Sequence, residues 1–364
     1  MDESQTIAKP GAGGSRRVLF MLVAFTLAIA IPLTLVEICL RLTGPKRVHG
    51  IVVPDPVLHH AHEPGSMVRV ESITREFGGF EMAFDEDGCR VDPKSAATMH
   101  GSEPMRIAVL GDSFVEAAQL PCERSFVGQF DAALRGRAWV RNYGVSSFSP
   151  VLELLQWRTK TSAWKPTHVI LMLYWNDVDR SGEVADADYL EKAVRDTGGE
   201  ITAIPGEVNP VMSVLNHLHL KWEITRAFKT AKFRLDSMRS GTKTETDGTF
   251  AEPNPHMGDP TAGLILKLKA EVEQSGAKFI LTAVPSKGRH LGHIQSEEPE
   301  FADKVKAWAA ASALDYIDIT PPFRAKDGKS LFFKEDIHFN PAGHEAVARI
   351  LIDSFAQKDL LLAR

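Results

Sequence analysis

Three residues of this sequence have the types and spacing needed for nucleophilic catalysis. Ser113 ends a Gly-Asp-Ser tripeptide that directly follows the apolar run 107–110, so its hydroxyl is expected at a strand-to-helix turn. Backbone N–H groups at the start of a helix favour developing negative charge. Asp336 and His338 stand together just before the last predicted helix, where they can supply an orienting carboxylate and a general base. The pattern predicts a serine nucleophile activated by a histidine.

Two further positions could donate hydrogen bonds to an oxyanion. Gly144 follows the second predicted strand, where a glycine lets the backbone turn sharply and point its N–H at a substrate oxygen. Asn176 follows the third predicted strand, and its carboxamide could donate to the same oxygen. A Gly-Asp-Ser tripeptide alone is more often a turn or a helix cap. Here the tripeptide occurs together with a candidate base, an orienting acid and two oxyanion donors, and these are the groups that acyl transfer requires.

The acid that orients His338 has two candidates in the sequence. Asp336 precedes the histidine by two residues and Glu335 precedes it by three. We predict Asp336, because its shorter side chain is the usual choice beside a catalytic histidine. Glu335 stays open as the alternative.

The elements that must position these residues alternate between strands and helices. Runs that are apolar on both faces indicate strands covered on both sides, and helical segments lie between them. We therefore predict an α/β fold, a three-layer α/β/α sandwich of the flavodoxin-like kind with a central parallel five-stranded sheet. The predicted strands cover residues 107–110, 139–143, 169–175, 279–284 and 316–319, and the predicted helices cover residues 125–134, 151–162, 261–274, 300–311 and 341–355.

The first fifty residues predict one transmembrane helix before this fold. Residues 18–36 contain no formal charge, and 19 residues are about the number that a helix needs to cross a bilayer. The segment is apolar on every face, unlike an ordinary core helix. It ends in Glu37 to Arg41 without a small-x-small cleavage site, which favours an uncleaved signal anchor over a removed signal peptide. Basic residues flank both ends, so charge leaves the orientation open.

These patterns divide the chain into four segments. Residues 1–17 are a short polar tail, 18–40 the transmembrane signal anchor, 41–103 a stalk and lead-in, and 104–358 the catalytic domain. A helical and polar insertion is expected at about 180–260 within the last segment. Such insertions at the rim of an α/β sheet can shape ligand access, although a surface elaboration without a chemical role is an equal alternative.

Composition excludes several other classes of function. The formal net charge of −5 gives no basic stripe, so nucleic acid is not an expected partner. Three cysteines make neither a disulfide framework nor a thiolate metal site, and whether Cys89 and Cys122 pair is open. The run His59–His62 lacks companion carboxylates, which favours a solvated loop over a metal site. We predict no cofactor and no metal.

The candidate site residues also carry a family resemblance. Over roughly residues 105–355 the sequence resembles the SGNH hydrolases, which are GDSL-like esterases and lipases. The segment Phe84 to Arg90 resembles the lead-in of membrane-anchored members. The resemblance rests on the following residues, which stand in the family's order and strand-end contexts: Gly111-Asp112-Ser113, Gly144, Asn176 and Asp336-x-His338.

The resemblance implies roles for these residues. Ser113 is expected to attack an ester carbonyl, His338 to remove the serine proton and Asp336 to hold the imidazole. The oxyanion hole is expected to comprise the N–H groups of Ser113 and Gly144 and the side chain of Asn176. The implied fold is the SGNH form of the α/β/α sandwich.

The expected function is that of a serine esterase or deacetylase acting on an acylated envelope carbohydrate or a similar ester. A polysaccharide O-acetyltransferase that uses the same residues is the first alternative, and a catalytically silent envelope scaffold or carbohydrate-binding module is the second. The expected partners are the ester-bearing substrate and the membrane, while protein partners are open. We expect a single-pass membrane protein with its catalytic domain on the periplasmic or cell-surface side.

Overall fold

A mixed sheet of nine strands forms the centre of the protein. The computed structural model describes residues 12–43, 46–47, 52–72, 76–93, 103–178, 189–208, 210–211, 215, 218–239, 261–287, 300–325 and 328–357. Residues 1–11 of the predicted tail, and 180–188 and 240–260 of the predicted insertion, lie outside the described residues.

The strands and helices are numbered in chain order. The strands are β1 (Lys46–Arg47), β2 (Val52–Asp55), β3 (His59–His62), β4 (Met67–Glu71), β5 (Gly78–Phe84), β6 (Arg90–Val91), β7 (Met105–Gly111), β8 (Ala138–Asn142), β9 (His168–Leu173), β10 (Val194–Arg195), β11 (Ile201–Ala203), β12 (Lys278–Ala283) and β13 (Asp315–Tyr316). The helices are α1 (Ala12–Leu42), α2 (Ser113–Glu116), α3 (Phe126–Leu134), α4 (Pro150–Thr159), α5 (Trp175–Val178), α6 (His219–Arg239), α7 (Thr261–Gln274), α8 (Phe301–Ala311), α9 (Pro321–Arg324) and α10 (Pro341–Gln357).

Five strands of the sheet run parallel in the order β8-β7-β9-β12-β13, which confirms the predicted parallel core. All six residues of β9 are buried, and all but one residue of β7, because these strands lie inside the sheet and are covered on both faces. This burial explains why their sequences are continuous apolar runs rather than alternating ones.

The helices lie on both faces of the parallel core. The chain crosses from β7 to β8 in one direction and from β8 over β7 to β9 in the other, so right-handed crossovers put α3 and α4 on opposite faces. Helix α10 packs against α3, and α7 packs against α4. The predicted three-layer α/β/α sandwich is therefore confirmed. The strand order reverses at β7, whose carboxyl end is the place where such folds bind ligands.

The whole sheet is larger than the predicted five-stranded one. Strands β1, β4, β5 and β6 continue it beyond β8, and β6 joins β8 by antiparallel pairing. Two of these strands have only two residues, and β4 alternates exposed and buried positions. Such strands lack the continuous apolar run that identified the parallel core. The lead-in thus forms part of the central sheet.

The histidine run at 59–62 is a strand and not the predicted solvated loop. It pairs with β2 as an antiparallel hairpin, and His62 is buried. The prediction was wrong because the imidazoles have partners inside the protein, which makes the burial of these polar rings tolerable. No group of three or more potential metal ligands occurs in the part of the chain that the structure describes. Cys89 and Cys122 are both free thiols.

Helix α1 stands apart from the sheet. Residues Arg16–Leu42 are long and apolar enough to cross a membrane, and this is the single such helix within the described ranges. Its apolar side chains are exposed rather than packed against the domain. Its C-terminal part contacts the start of α6, where Glu37 accepts hydrogen bonds from the N–H groups of His219 and Leu220.

Candidate active site

Ser113 lies at a tight turn between β7 and α2. Gly111 ends the strand with a φ of +153°, and a Cβ there would lie 2.5 Å from Val115 Cγ2 and 2.8 Å from the carbonyl oxygen of Met172. Only a glycine fits this position without displacing its neighbours. Asp112 then caps α2, because its Oδ1 accepts the N–H of Phe114 at 2.9 Å. The turn therefore presents Ser113 at the carboxyl end of β7.

The structure brings Ser113, His338 and Asp336 together across 225 residues of sequence. His338 Nε2 lies 2.8 Å from Ser113 Oγ, and His338 Nδ1 lies 2.5 Å from Asp336 Oδ1. The backbone N–H of His338 also donates to Asp336 Oδ1, at 2.9 Å. This chain of contacts allows the imidazole to take the hydroxyl proton while the carboxylate holds the opposite ring nitrogen.

Within the residues that the structure describes, Glu335, the alternative acid, makes no hydrogen bond or ion pair with His338. Its Oε1 lies 3.5 Å from Lys334 Nζ, and its side chain is about a third exposed. The carboxylate beside the imidazole belongs to Asp336. The geometry therefore favours Asp336 over Glu335.

Gly144 lies where the loop after β8 presses against α2. A Cβ at this position would be 2.3 Å from the backbone nitrogen of Glu116, so the close approach requires a glycine. The N–H of Gly144 donates to Asn142 Oδ1 at 2.9 Å, and Asn142 Nδ2 donates to the carbonyl of Val115 at 2.7 Å. Asn142, which the sequence did not single out, thus connects this loop to α2.

Asn176 follows β9 directly and lies in the short helix α5. The carboxyl ends of β7, β8 and β9 are neighbours in the sheet, so the backbone of Asn176 is at the same edge as Ser113 and Gly144. The side chain of Asn176 lies outside the described residues. The oxyanion roles of these three residues stay predictions.

Asp112, beside the serine, is a fully buried carboxyl. Burial raises its pKa to about 6, while the hydrogen bond from Phe114 N and the nearby His338 act in the opposite direction. Asp112 Oδ2 also lies 3.3 Å from Ser113 Oγ, farther than His338 Nε2 at 2.8 Å. The surroundings of Ser113 are therefore poorly hydrated, which strengthens electrostatic interactions at the site.

A group of four residues, two of them fully buried, supports the serine from the lead-in side. We call His60, His62, Glu116 and Ser146 the histidine brace. Glu116, the last residue of α2, accepts hydrogen bonds from Ser146 Oγ and from His62 Nε2, the latter at 2.7 Å. His60 Nε2 lies 2.8 Å from the carbonyl of Ser146, and burial lowers the pKa of His60. The brace joins β3 to α2 and to the loop after Gly144.

A second support holds the loop that carries Asp336. We call residues 334–338 the acid loop. The carboxylate of Glu76 accepts the backbone N–H groups of Lys334, Glu335 and Asp336 at 2.6, 2.9 and 3.0 Å. From the other side, Lys287 Nζ donates to the carbonyls of Lys334 and Asp336 at 2.7 and 3.1 Å. Neither contact has a local sequence signal, since Glu76 and Asp336 are 260 residues apart.

Gln119 is a further neighbour of the histidine that the sequence did not indicate. Its side-chain amide nitrogen lies 2.9 Å from His338 Nδ1, the ring atom that also contacts Asp336. The ring of Phe114 packs on the imidazole with a centroid separation of 4.7 Å. The imidazole is therefore fixed by Asp336 and Ser113 at its two ring nitrogens and by an aromatic ring beside it.

Comparison with known proteins found similarity to one curated protein and to several solved structures. A curated relative, the probable alginate O-acetylase AlgJ of Pseudomonas aeruginosa, is 30% identical over 124 residues, which are 32% of this chain and 32% of the relative. The chain thus matches about a third of the length of that protein. Among solved structures, the lipase/acylhydrolase of Enterococcus faecalis is 12% identical, with 70% of this chain and 96% of that chain covered and a TM-score of 0.40. A lipolytic protein of the G-D-S-L family from Veillonella parvula is 16% identical, with 70% and 99% covered and a TM-score of 0.37.

The family assignment rests on a longer match. Residues 109–346, nearly two thirds of the chain, match the GDSL-like lipase/acylhydrolase family. The matched range begins inside β7 and ends inside α10, and it contains Ser113, Gly144, Asn176 and His338. The protein therefore belongs to the GDSL-like lipase/acylhydrolase family and is an enzyme that acts on ester bonds.

Proposed function

We propose that this protein is a membrane-anchored serine ester hydrolase that forms an acyl-enzyme on Ser113. The observation that carries the proposal is the 2.8 Å contact between Ser113 Oγ and His338 Nε2, with Asp336 on the opposite ring nitrogen. His338 accepts the hydroxyl proton as Oγ bonds to the ester carbonyl carbon. Asp336 holds the tautomer in which Nε2 is free to accept that proton, and it stabilises the imidazolium that forms.

The tetrahedral intermediate carries its negative charge on the former carbonyl oxygen. The N–H groups of Ser113 and Gly144 and the Asn176 carboxamide are the proposed donors to that oxygen. Because the N–H of Gly144 already donates to Asn142, it must share that bond or exchange it when the substrate binds. The intermediate then collapses, His338 protonates the leaving alcohol, and water repeats the attack on the acyl-enzyme with His338 again as the base.

The proposed substrate is an acylated carbohydrate of the cell envelope. Two observations support it: the helix Arg16–Leu42 suits a membrane anchor, and the relative from Pseudomonas aeruginosa is described as an alginate O-acetylase. We place the anchor at 18–40, the lead-in at 41–103 and the catalytic domain at 104–358, with an insertion at about 180–260. The catalytic domain is proposed to lie on the periplasmic or cell-surface side.

A polysaccharide O-acetyltransferase is the second candidate function. It shares the first half-reaction, but a sugar hydroxyl replaces water as the acceptor of the acyl group. The matched third of the alginate O-acetylase favours this candidate. The two candidates differ only in the second half-reaction, so the acceptor is what an experiment must vary.

Hydrolysis of p-nitrophenyl acetate by the full-length protein tests the proposed mechanism. We expect activity in the wild type and its loss in Ser113→Ala and His338→Ala, whereas Ser312→Ala, at the partly exposed end of α8, keeps it. Activity that persists in Ser113→Ala overturns the serine mechanism. A folded wild type that forms no acyl-enzyme would support the silent scaffold instead.

Adding oligosaccharide acceptors to the same reaction separates the two candidate functions. A hydrolase releases acetate at a rate that the acceptor does not change. A transferase forms acetylated oligosaccharide at the expense of acetate, and its p-nitrophenol release accelerates with the acceptor. Mass spectrometry of the carbohydrate products distinguishes these outcomes.

A further inference from the structure

Helix α6 has an apolar surface that is exposed within the part of the chain that the structure describes. We propose that α6 lies in the headgroup region of an anionic membrane, with Ile224, Phe228 and Leu235 inserted at the acyl-chain boundary. The inference rests on the proposed anchoring by α1 and adds a second membrane contact to it. Nothing in the proposed ester chemistry requires this helix.

The contact between α1 and α6 indicates how deep the start of α6 lies in the bilayer. Residues 18–36 are uncharged and span about 28 Å as a helix, which is close to the hydrocarbon thickness. Glu37, the next residue, therefore lies at the hydrocarbon boundary. It accepts the N–H groups of His219 and Leu220 at 3.0 and 2.9 Å, so the start of α6 lies at the same depth.

The chemistry of this contact suits the edge of a bilayer. A carboxylate near hydrocarbon needs hydrogen-bond partners, and the free N–H groups at a helix N-terminus supply them together with the positive end of the helix dipole. Arg41 donates to Glu37 from the next turn of α1 at 2.8 Å. With these partners Glu37 is satisfied without water, which keeps the start of α6 beside α1 in the membrane.

Among the side chains of α6 that the structure describes, the exposed large apolar ones form one stripe. Ile224, Phe228 and Leu235 are 61%, 70% and 48% exposed, and at 100° per residue they fall within about 40° of one line along the helix. Ala227 and Ala231 lie beside them and are also exposed. Large apolar side chains grouped in this way mark a contact surface rather than scattered surface residues.

The net positive charge of α6 indicates which kind of surface it contacts. The sequence of α6 contains six basic and two acidic residues, and Lys221 and Lys232 stand on one flank of the stripe. Long basic side chains beside an apolar stripe can reach phosphate groups while the stripe enters the acyl region. An anionic lipid surface matches both features and is continuous with the bilayer that α1 crosses. We therefore assign the stripe to lipid and not to a protein partner.

Lipid photocrosslinking of the full-length protein in nanodiscs tests this inference. The nanodiscs contain phosphatidylcholine with or without phosphatidylglycerol, and a trace of diazirine phospholipid reports contacts through mass spectrometry of the peptides. We expect adducts on α1 in both lipids and on α6 mainly with phosphatidylglycerol. In the double variant Ile224→Ser, Phe228→Ser, the α6 adducts should fall severalfold while those on α1 persist.

The control replaces an apolar residue of equal exposure elsewhere. Val194 on β10 is 48% exposed, and Val194→Ser should leave the α6 adducts unchanged. Hydrolysis of p-nitrophenyl acetate checks that each variant is folded, because the proposed reaction uses no residue of α6.

The outcomes separate this inference from the proposed anchoring. Adducts on α1 without adducts on α6 would overturn the interfacial helix and keep the anchor. An absence of adducts on both helices would overturn the anchoring itself. Crosslinks from α6 of one chain to a second copy, in place of lipid adducts, would reassign the stripe to a protein interface and overturn the lipid assignment.

Discussion

Ser113 and Asp336 stand at the two ends of one hydrogen-bonded chain, yet they are held by different kinds of contact. At the serine end, the centre of the histidine brace is buried, because the His62 and Glu116 side chains are at most 2% exposed. At the acid end, the Glu76 carboxylate accepts hydrogen bonds from backbone N–H groups of the acid loop, and these contacts lie at the protein surface. Each support includes residues of the lead-in: His60 and His62 of β3 in the histidine brace, and Glu76, just before β5, at the acid loop.

Because of this difference, we expect one support to act mainly on the stability of the fold and the other mainly on the position of Asp336. Buried polar groups that lose a partner carry a large desolvation penalty, so the serine end should affect the stability of the whole fold. Exposed contacts contribute little to stability, but they can fix the place of a catalytic group. The lead-in is thus expected to support the active site in two ways, and each can be tested separately.

The largest effect is expected at the acid itself. Asp336→Asn keeps the shape of the side chain but favours the wrong imidazole tautomer, so we expect kcat to fall by about 10³–10⁴-fold. Glu335→Gln, one residue earlier and exposed, should leave kcat unchanged. Steady-state hydrolysis of p-nitrophenyl acetate provides the measurement. Equal losses in both variants would contradict the choice of Asp336.

The next largest effect is expected in the histidine brace. Glu116→Ala leaves His62 and Ser146 without their shared partner inside the protein. We expect the free energy of unfolding to fall by about 3–5 kcal/mol, as for other broken buried pairs. Glu81→Ala on β5, an exposed position, should change it by less than about 0.5 kcal/mol. Denaturant unfolding followed by tryptophan fluorescence compares the two, and equal midpoints would show that the brace is dispensable.

Asp112 should make stability at the serine end depend on pH. Burial raises its pKa in the folded state to about 6 from the ordinary 3.8, so the folded state binds the proton more tightly than the unfolded chain does. The resulting stabilisation is present in full below the unfolded pKa and is lost as the pH rises through the folded pKa.

Asp112→Asn tests this dependence, because asparagine retains the helix cap and cannot ionise. From about pH 4 to about pH 7 the wild type should lose about 2–3 kcal/mol of unfolding free energy relative to the variant. Ser312→Ala, which changes no ionisable group and lies at the partly exposed end of α8, should show no such trend. Unfolding curves collected across this pH range give the difference in unfolding free energy between the wild type and each variant. The prediction is contradicted if the difference for Asp112→Asn changes with pH no more than the difference for the control.

The smallest effect is expected at Glu76. Glu76→Ala releases three N–H groups of the acid loop, so kcat should fall by roughly 10- to 100-fold through misplacement of Asp336. Because the contact is exposed, the unfolding midpoint should stay near that of the wild type. Measuring kcat and the unfolding midpoint on the same sample of Glu76→Ala tests both expectations. A loss of stability that matches that of Glu116→Ala would remove the distinction between the two supports.

The sequence predicted the parts of the protein that have local patterns. The runs at 107–110 and 169–175 are apolar on both faces, because β7 and β9 lie inside the sheet, and they identified the parallel core. The Gly-Asp-Ser tripeptide and the Asp336 and His338 pair adjoin such elements, and the structure brings them within hydrogen-bond distance. Their catalytic roles stay predictions that the variants above would test.

The supports of the site could not be predicted in this way. His62 and Glu116 are 54 residues apart, and Glu76 and Asp336 are 260 apart, so no spacing rule connects them. The histidines of β3 resemble a solvated loop because their burial depends on partners that only the fold supplies. The lead-in strands were missed as part of the sheet because short, alternating strands give a weak signal.

Covalent labelling with a fluorophosphonate tests the central claim most directly. Such a reagent phosphonylates a serine whose hydroxyl is activated by a neighbouring base. The full-length protein should acquire a single adduct that peptide mass spectrometry locates on Ser113, and labelling should be absent in Ser113→Ala and strongly slowed in His338→Ala. An adduct on another serine, or unchanged labelling of Ser113→Ala, would contradict the account.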